Sequence, residues 1–149
     1  MRAFLRPSGS SAALGTRSMR QNAGVLLYGY RRDKLHILLV FNGKNWGIPK
    51  GGIEPLESER EAAIRELKEE TTIDAPDHLF QIGYAEKIGK SRLCCFAGCL
   101  IKRPQPKDGI VQAAYFKVEK ALQIIQDYQK PLLDELIWQL EESQSLKEA

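Results

Sequence analysis

GGIEPLESEREAAIRELKEETTI, residues 51–73, carries seven glutamates behind a double glycine in 23 residues. Ser58 and Glu61 form a capping-box pair, and no proline or glycine follows until Pro76. Ala62, Ala63, Ile64 and Leu67 supply helix formers and an apolar stripe, which predicts a helix over about Glu59–Thr71. On that helix Glu66, Glu69 and Glu70 stand at i, i+3 and i+4 and share one face. Three adjacent carboxylates repel unless a cation joins them. Oxygen donors suit magnesium or manganese rather than zinc, which favours Cys and His. Arg65 lies four residues from both Glu61 and Glu69, within reach to orient a carboxylate.

An acidic helix is ordinarily a solvated face. What precedes this one sets it apart. Trp46–Gly52, WGIPKGG, is an aromatic–proline–glycine turn whose glycines let the backbone approach a ligand closely, and a bare carbonyl there can join a metal shell. From Gly51 the spacing runs five residues to Glu57, then seven to Arg65-Glu66-Leu67-Lys68-Glu69-Glu70. That pattern resembles the Nudix box, the signature of hydrolases that cut a nucleoside diphosphate linked to another group. The resemblance implies an α+β Nudix fold, a mixed β-sheet sandwiched between α-helices. It also implies that Glu66, Glu69 and Glu70 hold Mg2+ or Mn2+, helped by a carbonyl at Lys50 or Gly51, with Glu57 and Arg65 supporting them. Glu69 is the first choice for the general base and Glu86 the second.

Two positions depart from the family pattern. Thr72 stands where the family has glycine. A β-branched residue is strained at positive φ by roughly 1 kcal/mol or more, unless the turn takes another shape. Asp108–Phe116, DGIVQAAYF, is similar to a late family segment, with Gly109 in place of an acid. Glu86 and Asp108 are the acids left to fill that role.

Composition narrows the partners. One domain is expected from 149 residues, and a hydrophobic fraction of 43% provides a core. The net charge is +3, with acid concentrated in residues 54–70 and base in Lys87, Lys90, Arg92, Lys102, Arg103 and Lys107. A metal site flanked by bases suits a small polyphosphate, with Lys50, Lys87 and Arg92 on phosphates and Trp46, Tyr84 or Tyr115 on a base. The run PKGGIEPLES is similar to family members acting on dinucleoside polyphosphates, the favoured substrate. It is also similar to the diphosphoinositol polyphosphate and RNA 5′-end branches. A nucleoside triphosphate pyrophosphohydrolase is the enzymatic alternative, and a non-catalytic nucleotide- or RNA-binding module the rival class. A monomer or homodimer is expected. No apolar run has the length of a membrane span, so no membrane partner is expected.

Cys94, Cys95 and Cys99 fall in one strand pattern, an odd count that argues against a disulfide framework and for core or half-buried thiols in a reducing compartment. Residues 1–20 hold four arginines, four serines and no acid. They read as a disordered basic leader, either an upstream start before Met19 or a mitochondrial transit peptide. The expected location is cytoplasmic, with mitochondrial as the alternative. The domain proper is placed at 21–144.

Alternating and apolar runs predict strands at 23–30, 35–41, 79–87, 92–101 and 111–118, with the second central to the sheet. Prolines and Asp-Gly make 102–109 a loop. A short helix is expected at 119–128 and a final one from Pro131, striped by Leu132, Leu133, Leu136, Ile137 and Leu140.

Overall fold

A computed structural model describes residues 19–148; the expected basic leader therefore lies almost wholly outside the described residues. β1 (Arg20–Arg31) turns into β2 (Lys34–Phe41) through Arg32 and Asp33, at φ 52° and 64°. Two left-handed residues match the twist of a tight hairpin. Trp46–Gly47 (β3) and Lys50–Gly52 (β4) are short strands inside the stretch expected to be a turn. The helix α1 (Glu59–Thr71) follows, then β5 (Phe80–Lys87), β6 (Ser91–Cys99) and β7 (Gln112–Lys117). The chain ends in α2 (Val118–Ile124), a 3-10 turn at Asp127–Gln129, and α3 (Lys130–Glu148).

The sheet order is β3-β2-β1-β6-β5, with β4 paired to β1 and β7 to β2. β1 and β6 run parallel while the other pairings are antiparallel, so the sheet is mixed, as expected. Strand alternation sorts the core into two layers. Ala23, Val25, Leu27, Leu38, Cys94 and Phe96 meet Ala62, Ala63 and Leu67 of α1. Leu26, Tyr28, Ile37, Leu39, Leu93 and Cys95 meet Ala121, Leu132, Leu133 and Leu136 on the other side. The sheet is thus sandwiched between helices, and burial on both faces explains why β1 and β2 read as continuous apolar runs. Among the described residues no helix is long and apolar enough to cross a membrane.

Three expectations need correction. The helix expected at 119–128 stops at Ile124, because Ile125 is extended (φ −64°, ψ 143°) and bridges to Trp46. Cys99 is exposed rather than half-buried, since it closes β6 beyond the layer that covers Cys95; Cys94 and Cys95 are buried. β1 begins at Arg20, inside the stretch read as leader.

Thr72 resolves the question its identity posed. It caps α1 in the left-handed region (φ 63°, ψ 8°), and its N–H donates to the Lys68 carbonyl at 2.9 Å. The turn keeps the shape glycine would give it, and threonine carries the strain. Thr72→Gly is therefore expected to stabilise the domain by roughly 0.5–1 kcal/mol, the relief of strain being partly offset by glycine's greater freedom when unfolded. Thermal unfolding should show a rise of a few degrees with turnover little changed.

Candidate active site

The capping box fixes where α1 begins. The Glu61 N–H donates to Ser58 Oγ at 3.0 Å, and the Ser58 N–H donates to Glu61 Oε1 at 2.9 Å. With its start pinned, α1 lays Glu66 and Glu70 against β4. Gly51 is required at this contact: a Cβ there would lie 2.1 Å from the Glu66 carboxyl carbon. The Lys50 N–H donates to Glu70 Oε1 at 3.2 Å.

Arg65 is the hub. Its Nε and Nη2 donate to the two carboxylate oxygens of Glu57 at 2.7 and 2.9 Å, and Nη2 also donates to the Gly52 carbonyl at 2.8 Å. Nη1 donates to Glu66 Oε2 at 2.9 Å and Glu69 Oε1 at 3.0 Å. Each of the five guanidinium N–H groups thus has a bond, in the planar fork that distinguishes arginine from lysine. Glu57 is itself steadied by the Glu54 N–H at 2.9 Å.

The β1–β4 ladder decides between the two carbonyls that the sequence left open. The Val25 N–H donates to the Pro49 carbonyl and the Ile53 N–H to the Gln21 carbonyl. Antiparallel alternation then makes Ala23–Gly51 a hydrogen-bonded pair, so the Gly51 carbonyl faces β1. Lys50 belongs to the intervening pair, and its N–H already points at α1. Alternation turns the Lys50 carbonyl away from β1, to the same side as its N–H.

Electrostatics divide the acids. The Arg65 hydrogen bonds hold the Glu57 carboxyl down at about 2. Burial pushes Glu66 up, with Arg65 opposing. Burial pushes Glu70 up to about 7, against the Lys50 N–H and with help from Glu66 and Asp108. Burial lowers the Lys50 amine, and the nearby charges of Lys87 and Arg20 act the same way.

These shifts set the pH dependence of stability without divalent cations. Because the folded state raises Glu70 from 4.5 to about 7, it binds more protons there than the unfolded chain. Its contribution is full below pH 4.5 and is lost as pH rises through 7, to a limit of roughly 3 kcal/mol. Glu57 acts in the opposite sense and in a separate window, losing its contribution as pH falls from 4.5 through 2. Melting temperature measured in a chelator should therefore fall between pH 5 and 8, and Glu70→Gln should flatten that slope. Magnesium or manganese should raise the wild-type melting temperature at pH 8, because a ligand of the folded state stabilises it. The same substitution should remove most of that gain.

The donor set fits a hard divalent cation. Among the described residues no three His, Cys, Asp or Glu side chains close on a common point. Glu66 and Glu69 lean on Arg65 instead, and Glu70 is half-buried with the Lys50 N–H as its hydrogen-bond donor. An open row of carboxylates suits magnesium, which usually keeps several waters and takes one or two carboxylates plus substrate phosphates.

The remaining expected residues divide by face. Lys50 and Lys87 line one cleft, on the α2–α3 side of the sheet. Arg92 points the other way and lies over the Tyr84 ring at 4.0 Å, where the Tyr84 hydroxyl donates to Glu59. Trp46 packs edge-on to Phe116 at 4.9 Å and against Phe41 at 5.3 Å, as part of the core. Tyr115 is tied to the main chain, its hydroxyl bonded to the Leu100 carbonyl and the Lys102 N–H. Glu86 is exposed on β5 opposite Arg92. Asp108 is brought toward Glu70 by a loop whose Gln105 and Lys107 N–H groups donate to the Thr71 and Glu70 carbonyls.

Two features escaped the sequence reading. Gln129 is fully buried, and its Oε1 accepts from the Ile48 N–H at 2.8 Å, clamping the lead-in turn to the 3-10 turn before α3. Arg20 and Asn22 join the cleft of Lys50. The polar run Arg20-Gln21-Asn22 at the head of an apolar strand was the available signal.

The family model described as NUDIX domain matches residues 19–136. An "RNA pyrophosphohydrolase" of Erythrobacter litoralis is 44% identical over 59 residues, 38% of this chain, and the matched stretch spans 35% of that relative's length. The NUDIX domain of Shewanella oneidensis NrtR, solved with ADP ribose, superposes with a TM-score of 0.73 at 18% identity, covering 88% of this chain and 98% of that one. A Caenorhabditis elegans Ap4A hydrolase superposes with a TM-score of 0.60 at 26% identity, covering 83% and 99%.

Proposed function

Since the chain belongs to the NUDIX family, we propose that it is a magnesium- or manganese-dependent pyrophosphohydrolase that cleaves a diphosphate bridge in a nucleoside diphosphate-linked substrate, with a dinucleoside polyphosphate favoured. The observation that carries this reading is the Arg65 hub, which holds Glu57, Glu66 and Glu69 together while β4 presents Lys50 to Glu70. Similarity to an Ap4A hydrolase over nearly all of that chain, and to part of an RNA pyrophosphohydrolase, supports a nucleotide polyphosphate.

Glu66, Glu69, Glu70 and the Lys50 carbonyl would hold the cation, which would supply charge neutralisation and an acidified water. The protein's own groups do the rest. Arg65 fixes the angle of the carboxylates, and Glu57 keeps Arg65 in place. Glu69 is bonded to Arg65 through Oε1 alone, which leaves its second oxygen to take a proton from the attacking water. The Lys50 and Lys87 amines hold phosphates that are not being cleaved.

A substrate panel tests the proposal: diadenosine tetraphosphate, ATP, a diphosphoinositol polyphosphate and triphosphorylated RNA, each with magnesium and then manganese. The expected result is cation-dependent cleavage, fastest for diadenosine tetraphosphate and abolished in Glu66→Gln. Binding of nucleotide with no product under either metal would replace the enzyme by a binding module.

A further inference from the structure

Gln129 is a side-chain amide with no solvent exposure, at the end of the 3-10 turn on the α2–α3 side of the sheet. An apolar side chain could fill the same volume without needing partners, whereas a buried amide costs stability unless both its ends are bonded. Both are: Oε1 accepts from the Ile48 N–H at 2.8 Å, and Nε2 donates to the Tyr128 hydroxyl at 2.9 Å.

What the amide holds is a crossing between two short strands. β3 pairs with β2 and β4 with β1, and the chain passes from one to the other through Ile48 and Pro49. Ile48 is 2% exposed and lies outside both strands, so no ladder serves its N–H. On the sheet side the Val25 N–H donates to the Pro49 carbonyl at 3.2 Å; on the other side Gln129 takes the Ile48 N–H. Gly47 is the complement of the amide, since a Cβ there would lie 2.7 Å from Gln129 Oε1 and 3.0 Å from Gln126 Nε2. The Gln126 N–H donates to the Trp46 carbonyl at 3.0 Å, which fixes the approach to the crossing from the same turn.

Just beyond the crossing the fit is as close. The Lys50 N–H donates to Glu70 Oε1, and only a glycine at 51 leaves room for the Glu66 carboxyl group. Planar peptides and the fixed φ of Pro49 leave little slack between Ile48 and Lys50. A shift at Ile48 is therefore passed on to β4, and so to the seats of Glu66 and Glu70. We infer that Gln129 is a positioning residue for the candidate cation site: by taking the Ile48 N–H it sets how β4 meets Glu66 and Glu70, from the opposite side of the sheet. It touches neither cation nor substrate. The inference rests on the hydrolase reading only for the use made of that site.

Mn2+ titrated calorimetrically into the full chain, with no substrate present, tests it. Gln129→Met fills the volume without the amide and should weaken Mn2+ by about fivefold or more, somewhat less than the roughly 10- to 100-fold typical of groups bonded directly to a metal ligand. Gln129→Glu is the rescue. Burial keeps that carboxyl protonated, so one oxygen can accept from Ile48 while the O–H donates to Tyr128; affinity should return to within about twofold of wild type. Leu136→Ala opens a cavity in the core on the same side of the sheet. It should lower the melting temperature at least as much as Gln129→Met does, and leave Mn2+ affinity within about twofold. Gly47→Ala reaches the same bond from its other end by crowding Oε1 off the Ile48 N–H, and should weaken Mn2+ as Gln129→Met does; it decides alone if Gln129→Met does not fold. Wild-type affinity in Gln129→Met or, failing that variant, in Gly47→Ala overturns the inference. So does an equal loss in Leu136→Ala, the mark of general loosening, or no recovery in Gln129→Glu, which would separate the effect from the amide's bonds. No Mn2+ binding by the wild type removes the cation site and the inference with it. Binding that follows the expected pattern, without turnover of any substrate, removes the hydrolase reading alone.

Discussion

Arg65→Ala is expected to lower kcat/KM by a factor of about 1,000 or more and to destabilise the domain by about 2–4 kcal/mol. The guanidinium spends all its donors on Glu57, Glu66, Glu69 and the Gly52 carbonyl. Removing it leaves Glu57 and Glu66, whose side chains are 15% and 13% exposed, without their counter-charge. Stranding half-buried charges costs several kcal/mol, and carboxylates released from the hub turn away from the substrate. Arg65→Lys separates charge from geometry. A lysine keeps the charge but cannot serve four acceptors in a plane. Its stability should recover by half or more, while activity stays at least tenfold below wild type. Denaturant unfolding beside steady-state kinetics reads both, and wild-type turnover in Arg65→Lys would show that the hub acts as a charge alone.

Glu69→Gln is expected to slow turnover at saturating cation and substrate by about 100- to 10,000-fold, the usual range for removing a general base. Glu86→Gln should cost less than threefold. Position supports this order. Glu69 is held over the site by Arg65 with one oxygen free, whereas Glu86 is exposed at the end of β5 and faces Arg92. In Glu86→Gln the pH–rate profile should keep its shape. A large loss in Glu86→Gln with unchanged cation affinity, and a mild one in Glu69→Gln, would reverse the roles. Asp108, brought toward Glu70 by its loop, makes the third comparison; Asp108→Asn should fall between them.

The helix, its capping box and its carboxylate face were legible because they are local: each follows from residues within four positions of one another. The layered sheet was legible because alternation marks a strand's two faces. What escaped is long-range. Nothing near Gln129 tells that it reaches Ile48 across 81 positions. Nothing near Arg92 tells that the half-turn of one residue sends it to Tyr84 while Ser91 goes to the cleft. Trp46 is one of three aromatics that the sequence allows either to stack on a base or to join the core, and Phe41 and Phe116 claim its ring. Thr72 shows the converse limit: the left-handed turn was set by the docking of both neighbours, and the residue's own preference gave way.

The stretch 102–109 looks dispensable, being proline-bearing and largely exposed. Its hydrogen bonds say otherwise. By donating to the last-turn carbonyls of Thr71 and Glu70, Gln105 and Lys107 tie it to the end of the helix that carries the carboxylates. An engineer seeking a place to lengthen the chain, or to cut and rejoin it, should avoid this loop. The Arg32–Asp33 hairpin bears no such tie among the described residues. Inserts are better accepted at exposed tips whose backbone bonds stay local. In the 102–109 loop, even a surface-compatible insert would work as a lever on Glu70.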